Sequence, residues 1–233
     1  MLDKSFVEKI ESMAAPQVIE TAKGTFTNQA LRRVESKLPD ALKLSTLSGL
    51  VEMIKHERNT YEAPLFVRIT SPVEVDVFGA MRDDNQRENP FYAEARLPHF
   101  DYDCYYSIEK MIIALKARFA PTEDRDYLVQ LLGNITDTKS VQTKDDGVTQ
   151  SVTVNAGIQM LGETRVKPIV TLKPYRTFLE VEQPESEFLI RLKDGQAALF
   201  EADGGEWRNQ AVANIGELLR EQLKNTEDVF VIE

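Results

Sequence analysis

The second half of the chain is a succession of short β-rich runs, two pairs of which are separated by Asp-Gly turns. From Gly133 onward, runs at 139–144 and 148–158 flank Asp145-Asp146-Gly147, and runs at 187–193 and 196–201 flank Asp194-Gly195. Asp-Gly readily adopts the positive φ angles of a two-residue hairpin loop, so each pair of runs is expected to fold back antiparallel. Further strands are expected at 169–172 and 177–182, the second placing Glu180 and Glu182 along one solvated face.

The first half alternates helical and strand patterns. Phe6, Val7, Ile10 and Met13 recur at spacings of three and four, which predicts an amphipathic helix over 3–13 that stops before Pro16. Residues 24–34 read as a short strand followed by a turn. Ser45 is placed to cap a helix running to about Arg58, with Leu47, Leu50, Val51 and Ile54 on its apolar face and His56 near its end. Strands at 65–69 and 73–78 follow, joined through Ser71-Pro72, and the second alternates strictly, with Glu74 and Asp76 facing away from the apolar side. A third strand is expected at 91–97. Ser107 and Thr122 each precede a helical stripe, a last helix starts near Glu206, and Val229–Ile232 closes the chain as a strand.

Strand runs interrupted by helix pairs, without regular βαβ alternation, predict an α+β fold with a largely antiparallel sheet and several packed helices. At 233 residues the expectation is a single domain, 1–233, with 1–40 as an N-terminal interface arm. The apolar stretches are far shorter than the roughly 20 residues of a membrane-spanning helix, and the first residues lack the pattern of a secretory signal. With a single cysteine, Cys104, no internal disulfide can form, and a cytoplasmic location is expected. The formal charge of −10 disfavours nucleic-acid binding, because tracking a phosphate backbone needs surplus Lys and Arg.

Few residue patterns point to chemistry. His99, Asp101 and Asp103 would share one face if their segment were extended, which makes them candidate metal ligands; a solvated loop held by Tyr102, Tyr105 and Tyr106 is the competing reading. Neither a nucleophile elbow nor a glycine-rich phosphate loop occurs. Gly204-Gly205 is the sole candidate anion cradle, and Glu201, Asp203 and Glu206 surround it with opposing charge. No cofactor is implied.

The phrases Asp145-Asp146-Gly147-Val148-Thr149-Gln150, Lys173-Pro174-Tyr175-Arg176-Thr177-Phe178 and Ala202-Asp203-Gly204-Gly205-Glu206-Trp207 resemble uncharacterised phage and prophage proteins. The overall layout from about residue 40 to 225 is similar to the YfdQ-like family of unknown function. That resemblance implies a phage or prophage origin and supplies no catalytic residues.

Three functional expectations follow. The first is a non-catalytic accessory protein acting through homo-oligomeric self-assembly, motivated by the many strands and the N-terminal amphipathic helix. The second is a module that captures a small anionic ligand or a host protein to counter host defence, with Arg176, Arg191, Tyr175 and Lys173 as contacts; an ordinary salt bridge is the competing reading for Arg176. The third is a metal-dependent hydrolase using His99, Asp101 and Asp103.

Overall fold

The computed structural model describes residues 3–15, 18–21, 24–27, 38–82, 85–136, 140–145, 150–156 and 159–233. The chain divides into two compact units, 1–38 and 39–233. In the first, helix α1 (Lys4–Ala14) precedes a hairpin of β1 (Val18–Thr21) and β2 (Gly24–Thr27). The helix ends where the Ala15 N–H bonds the Glu11 carbonyl, just before Pro16, a residue that cannot donate to a helical ladder.

The second unit is α+β and is built on two larger sheets. One has the order β14-β4-β5-β6-β3, formed by Val229–Ile232, Leu65–Ser71, Glu74–Gly79, Phe91–Glu94 and Leu42–Leu44 respectively. Its central pairs are antiparallel, whereas β14 lies parallel to β4 and β3 parallel to β6. Helices α2 (Leu47–Glu57) and α5 (Trp207–Leu223) cover one face. Leu50, Ile54, Ile215 and Leu219 meet Val67, Val77 and Phe91 there in a continuous apolar core. Each such side chain, fully buried, contributes about 1.5–3 kcal/mol of transfer free energy.

The other sheet has the order β11-β12-β13-β7, formed by Ile169–Leu172, Ser186–Lys193, Gln196–Glu201 and Tyr106–Ser107. Helices α3 (Ile108–Arg118) and α4 (Glu123–Thr136) pack on it, and Met111, Leu115, Leu128 and Leu132 close over Leu172, Phe188 and Leu199. The Ser107 hydroxyl accepts from Lys110 N–H, and that of Thr122 from Arg125 N–H, as their positions ahead of the apolar stripes require. Asp194 (φ 49°) and Gly195 (φ 73°) form the two-residue turn between β12 and β13, both in the left-handed region that a primed hairpin turn needs. A three-stranded antiparallel sheet, β10-β9-β8, comprises Gln159–Val166, Gln150–Ala156 and Ser140–Asp145. The residues of its first turn, 146–149, lie outside those described.

Several local expectations are corrected. The cap of α2 is Thr46, not Ser45: its hydroxyl accepts from Gly49 N–H at 3.2 Å. The third strand of the five-stranded sheet ends at Glu94 rather than Leu97. Residues 159–166 pair as β10, where no strand was expected. Residues 177–182 form turns instead of a strand, because Phe178 and Val181, three apart, both enter the core beneath α2 and α5, a spacing that a period-2 strand cannot deliver to one side. Of the expected strand and turn at 24–34, residues 24–27 form β2, and the remainder, including Arg32-Arg33, lies outside the described residues.

Candidate functional site

The loop from Lys173 to Glu185 joins β11 to β12 and places side chains against both cores of the second unit. Gln183 organises it from inside. Its buried side-chain oxygen accepts from the N–H groups of Arg176 (3.1 Å) and Thr177 (3.3 Å), and its amide donates to the carbonyls of Phe178 (3.0 Å) and Val181 (3.2 Å). Thr177 Oγ1 donates to the Pro72 carbonyl at 2.6 Å, fixing the loop to the β4–β5 turn. A buried loop must satisfy its backbone internally, and one amide side chain serves four of these groups.

Arg176 sits at the centre. Its guanidinium bonds the Glu201 carboxylate and the Ser186 hydroxyl, lies 3.8 Å from Asp203 Oδ2, and is 4.0 Å from the centroid of the Trp207 ring. The Phe188 and Tyr102 rings approach it at 5.6 and 5.7 Å. Burial works against the Asp203 carboxylate, but the Ser186 hydroxyl, the Gly205 N–H and Arg176 outweigh it and hold its pKa below the ordinary value. Burial pushes the Tyr102 phenol up to about 12 against the pull of Arg176.

Beside this cluster a cleft of about 840 Å³ opens, with Lys173, Glu182, Glu185, Glu187, Glu206 and Trp207 among its lining residues. Lys173 Nζ is held 3.0 Å from Glu182 and 3.4 Å from Glu185. The cleft is acidic, and its cation is already neutralised. A second cleft, of about 920 Å³, is lined by Glu180 of the loop and by Glu217 and Glu221 of α5, with Arg220 held 2.8 Å from Glu233.

The four expected anion contacts do not make one cationic surface. Arg176 is buried among carboxylates, and Lys173 is engaged with two more. Arg191 alternates onto the face of β12 opposite Phe188 and Ile190, away from Arg176. Tyr175 is half-buried and donates its N–H to the Arg118 carbonyl at 2.9 Å. The acid pair expected on a strand face has separate duties: Glu180 accepts from Leu47 N–H (2.6 Å) and Ser48 N–H (2.8 Å) at the start of α2, whereas Glu182 holds Lys173. The Gly204-Gly205 cradle is filled from within, since Asp203 Oδ1 accepts the Gly205 N–H at 3.0 Å. At φ 85°, Gly205 also leaves room for the Arg208 guanidinium, which an added Cβ would meet at 2.1 Å.

The 99–103 segment is a loop, not an extended strand. His99 Nε2 lies 2.7 Å from Asp101 Oδ1, both exposed, while Asp103 (φ 61°) sits in a turn and donates its N–H to the Leu199 carbonyl. That turn breaks the period-2 alternation on which a shared face depended. Among the described residues, no group of three His, Cys, Asp or Glu side chains converges as a metal-ligand set. Phe100 anchors the loop by stacking on Tyr106 at 5.2 Å and meeting Tyr102 edge-on at 5.0 Å.

No family model, curated protein or solved structure matches the chain. Function therefore rests on the geometry. Among the described residues, no helix is long and apolar enough to cross a membrane.

Sequence reasoning singled out Arg176 but missed Ser186, Glu201, Gln183 and Trp207 as its setting. Only the prolines at 174 and 184, which mark an irregular segment between strands, hinted that these residues would meet.

Proposed function

We propose that the protein is a non-catalytic phage or prophage accessory protein that acts by homo-oligomeric self-assembly through its N-terminal helix. One observation carries this reading. Helix α1 has no buried residue, and its apolar stripe is between 42% (Val7) and 70% (Met13) exposed, with Phe6 and Ile10 between those values. An isolated helix of 11 residues is marginal in water, so a stripe of this kind gains its stability from a partner.

Charge favours a second copy as that partner. Residues 1–38 carry six basic and five acidic side chains, against 22 and 33 in the rest of the chain. Copies of an acidic protein repel one another, and the near-neutral segment is where they approach at least cost. On α1 itself, Lys4 and Glu8 lie 3.8 Å apart, a mixture of signs suited to helix-to-helix contact. The phage or prophage origin rests on the family resemblance alone. Capture of a small anion is the second reading, and the pairing of Arg176 and Lys173 with carboxylates speaks against those two contacts.

The test is the mass of the native particle for the wild-type chain and for a Phe6→Asp/Ile10→Asp variant. The reading expects a defined multimer that loses its α1-dependent contacts in the variant. An unchanged multimer removes α1 from the role, and a co-purifying host protein in place of a second copy would shift the reading to partner capture.

A further inference from the structure

The five-stranded sheet has a second face, away from α2 and α5. Strand alternation assigns it without ambiguity: Val67, Val77 and Phe91 point into the core, so Phe66, Phe78 and Tyr92 point out. Register carries the pattern to the edge, where Phe230 lies opposite Phe66 and Ile232 opposite Arg68. An outward face of this kind is ordinarily polar. Here three phenylalanine rings stack in a row across β14, β4 and β5, Phe230 to Phe66 at 5.7 Å and Phe66 to Phe78 at 5.5 Å. Phe230 is 51% exposed and Ile232 39%.

The charges around this row are balanced. Arg68 pairs with Asp76 at 2.7 Å, Lys43 pairs with Glu94, and Arg87 lies over the Phe78 ring. In a chain of net charge −10, a face with an apolar centre and interspersed charges of both signs escapes the general repulsion between copies, as a two-fold self-contact requires. Its extent sets the size of the contact. Strands of three to seven residues, at about 3.3 Å per residue and about 4.8 Å apart, project on the order of 400 Å² per copy. Side-chain relief brings the pair to roughly 1,000 Å² of buried surface, the lower end for a specific interface.

We propose that the outer face of the five-stranded sheet is a second self-interface, on which the same face of another copy packs sheet to sheet with Phe230, Phe66 and Phe78 at its centre. This extends the self-assembly reading but uses none of α1, so the two stand or fall separately. A chain with two distinct self-contacts builds assemblies larger than dimers, one contact linking what the other pairs.

Sedimentation equilibrium from about 1 to 100 µM tests it on the full chain, a range that brackets a micromolar dissociation constant. Four proteins are compared: wild type, Phe6→Asp/Ile10→Asp, Phe230→Asp, and the three substitutions together. The proposal expects the α1 variant to retain a monomer–dimer equilibrium, Phe230→Asp to weaken the sheet contact by at least about tenfold, and the triple variant to be monomeric. A strictly monomeric α1 variant would overturn the sheet contact and leave the α1 reading standing. A dimer unaffected by Phe230→Asp would overturn it as well. Circular dichroism checks the fold, and if Phe230→Asp does not fold, Ile232→Lys at the same edge takes its place with the same expected loss.

Discussion

The Arg176 guanidinium lies 4.0 Å from the centroid of the Trp207 ring and bonds the carboxylate of Glu201. Trp207 opens the helix that covers the five-stranded sheet, and Glu201 ends a strand of the four-stranded one, so a single cation ties the two cores of the second unit together. Replacing Arg176 with Ala removes the bond to Glu201 and leaves the mostly buried Asp203 carboxylate without its neighbouring cation, at a cost of about 1.5–3 kcal/mol. Arg176→Lys recovers only part of this, because a single ammonium nitrogen replaces the planar fork whose two terminal nitrogens reach Glu201 and Ser186 separately beside the Trp207 ring. Urea unfolding measures both; a Lys variant as stable as wild type would contradict the role of the guanidinium fork.

Two titrations bound the pH range of this cluster. The Tyr102 phenol, raised by burial to about 12, binds its proton more tightly in the folded chain than in the unfolded one. The stability this contributes is complete below pH about 10 and is lost between about 10 and 12, about 3 kcal/mol for a shift of roughly two units. The difference in ultraviolet absorbance between wild type and Tyr102→Phe isolates that phenol, with an expected midpoint near 12. Asp203 has the opposite sign: its pKa is lowered in the fold, so its contribution is present above pH about 4 and falls away as acid protonates it. An Asp203→Asn variant is expected to lose stability at neutral pH and to show a shallower acid dependence.

Glu180 caps α2 across 133 residues of sequence, accepting from Leu47 and Ser48 N–H in addition to the local cap supplied by Thr46. Glu180→Ala is expected to destabilise the protein by about 1 kcal/mol, typical of a lost cap, and to increase hydrogen exchange at the amides of Leu47 and Ser48 selectively. Equal protection of those amides in the variant would show that Thr46 suffices.

The sequence made the elements legible wherever local signals agreed. Asp194-Gly195 marked a hairpin, Ser107 and Thr122 marked helix starts, and the alternation through Val73–Phe78 marked a strand and its two faces. It misled at residues 177–182, where β-rich composition met a deep loop whose conformation depends on Gln183 reaching back to four backbone groups. It also gave no notice of the parallel pairings of β3 and β14, which depend on where distant segments return to the sheet edges. Arg176 could be picked out as a lone cation. Its burial could not, because Glu201, Asp203 and Trp207 reach it from a strand and a helix start more than 20 positions away, and a local pattern does not carry tertiary convergence.

Native mass spectrometry of the purified wild-type chain tests self-assembly most directly, since one spectrum reports the particle mass and anything bound to it. The account predicts a defined multimer of the 26.5 kDa chain at micromolar concentration, with no additional mass. A monomer, or a monomer carrying a retained small molecule, would contradict it.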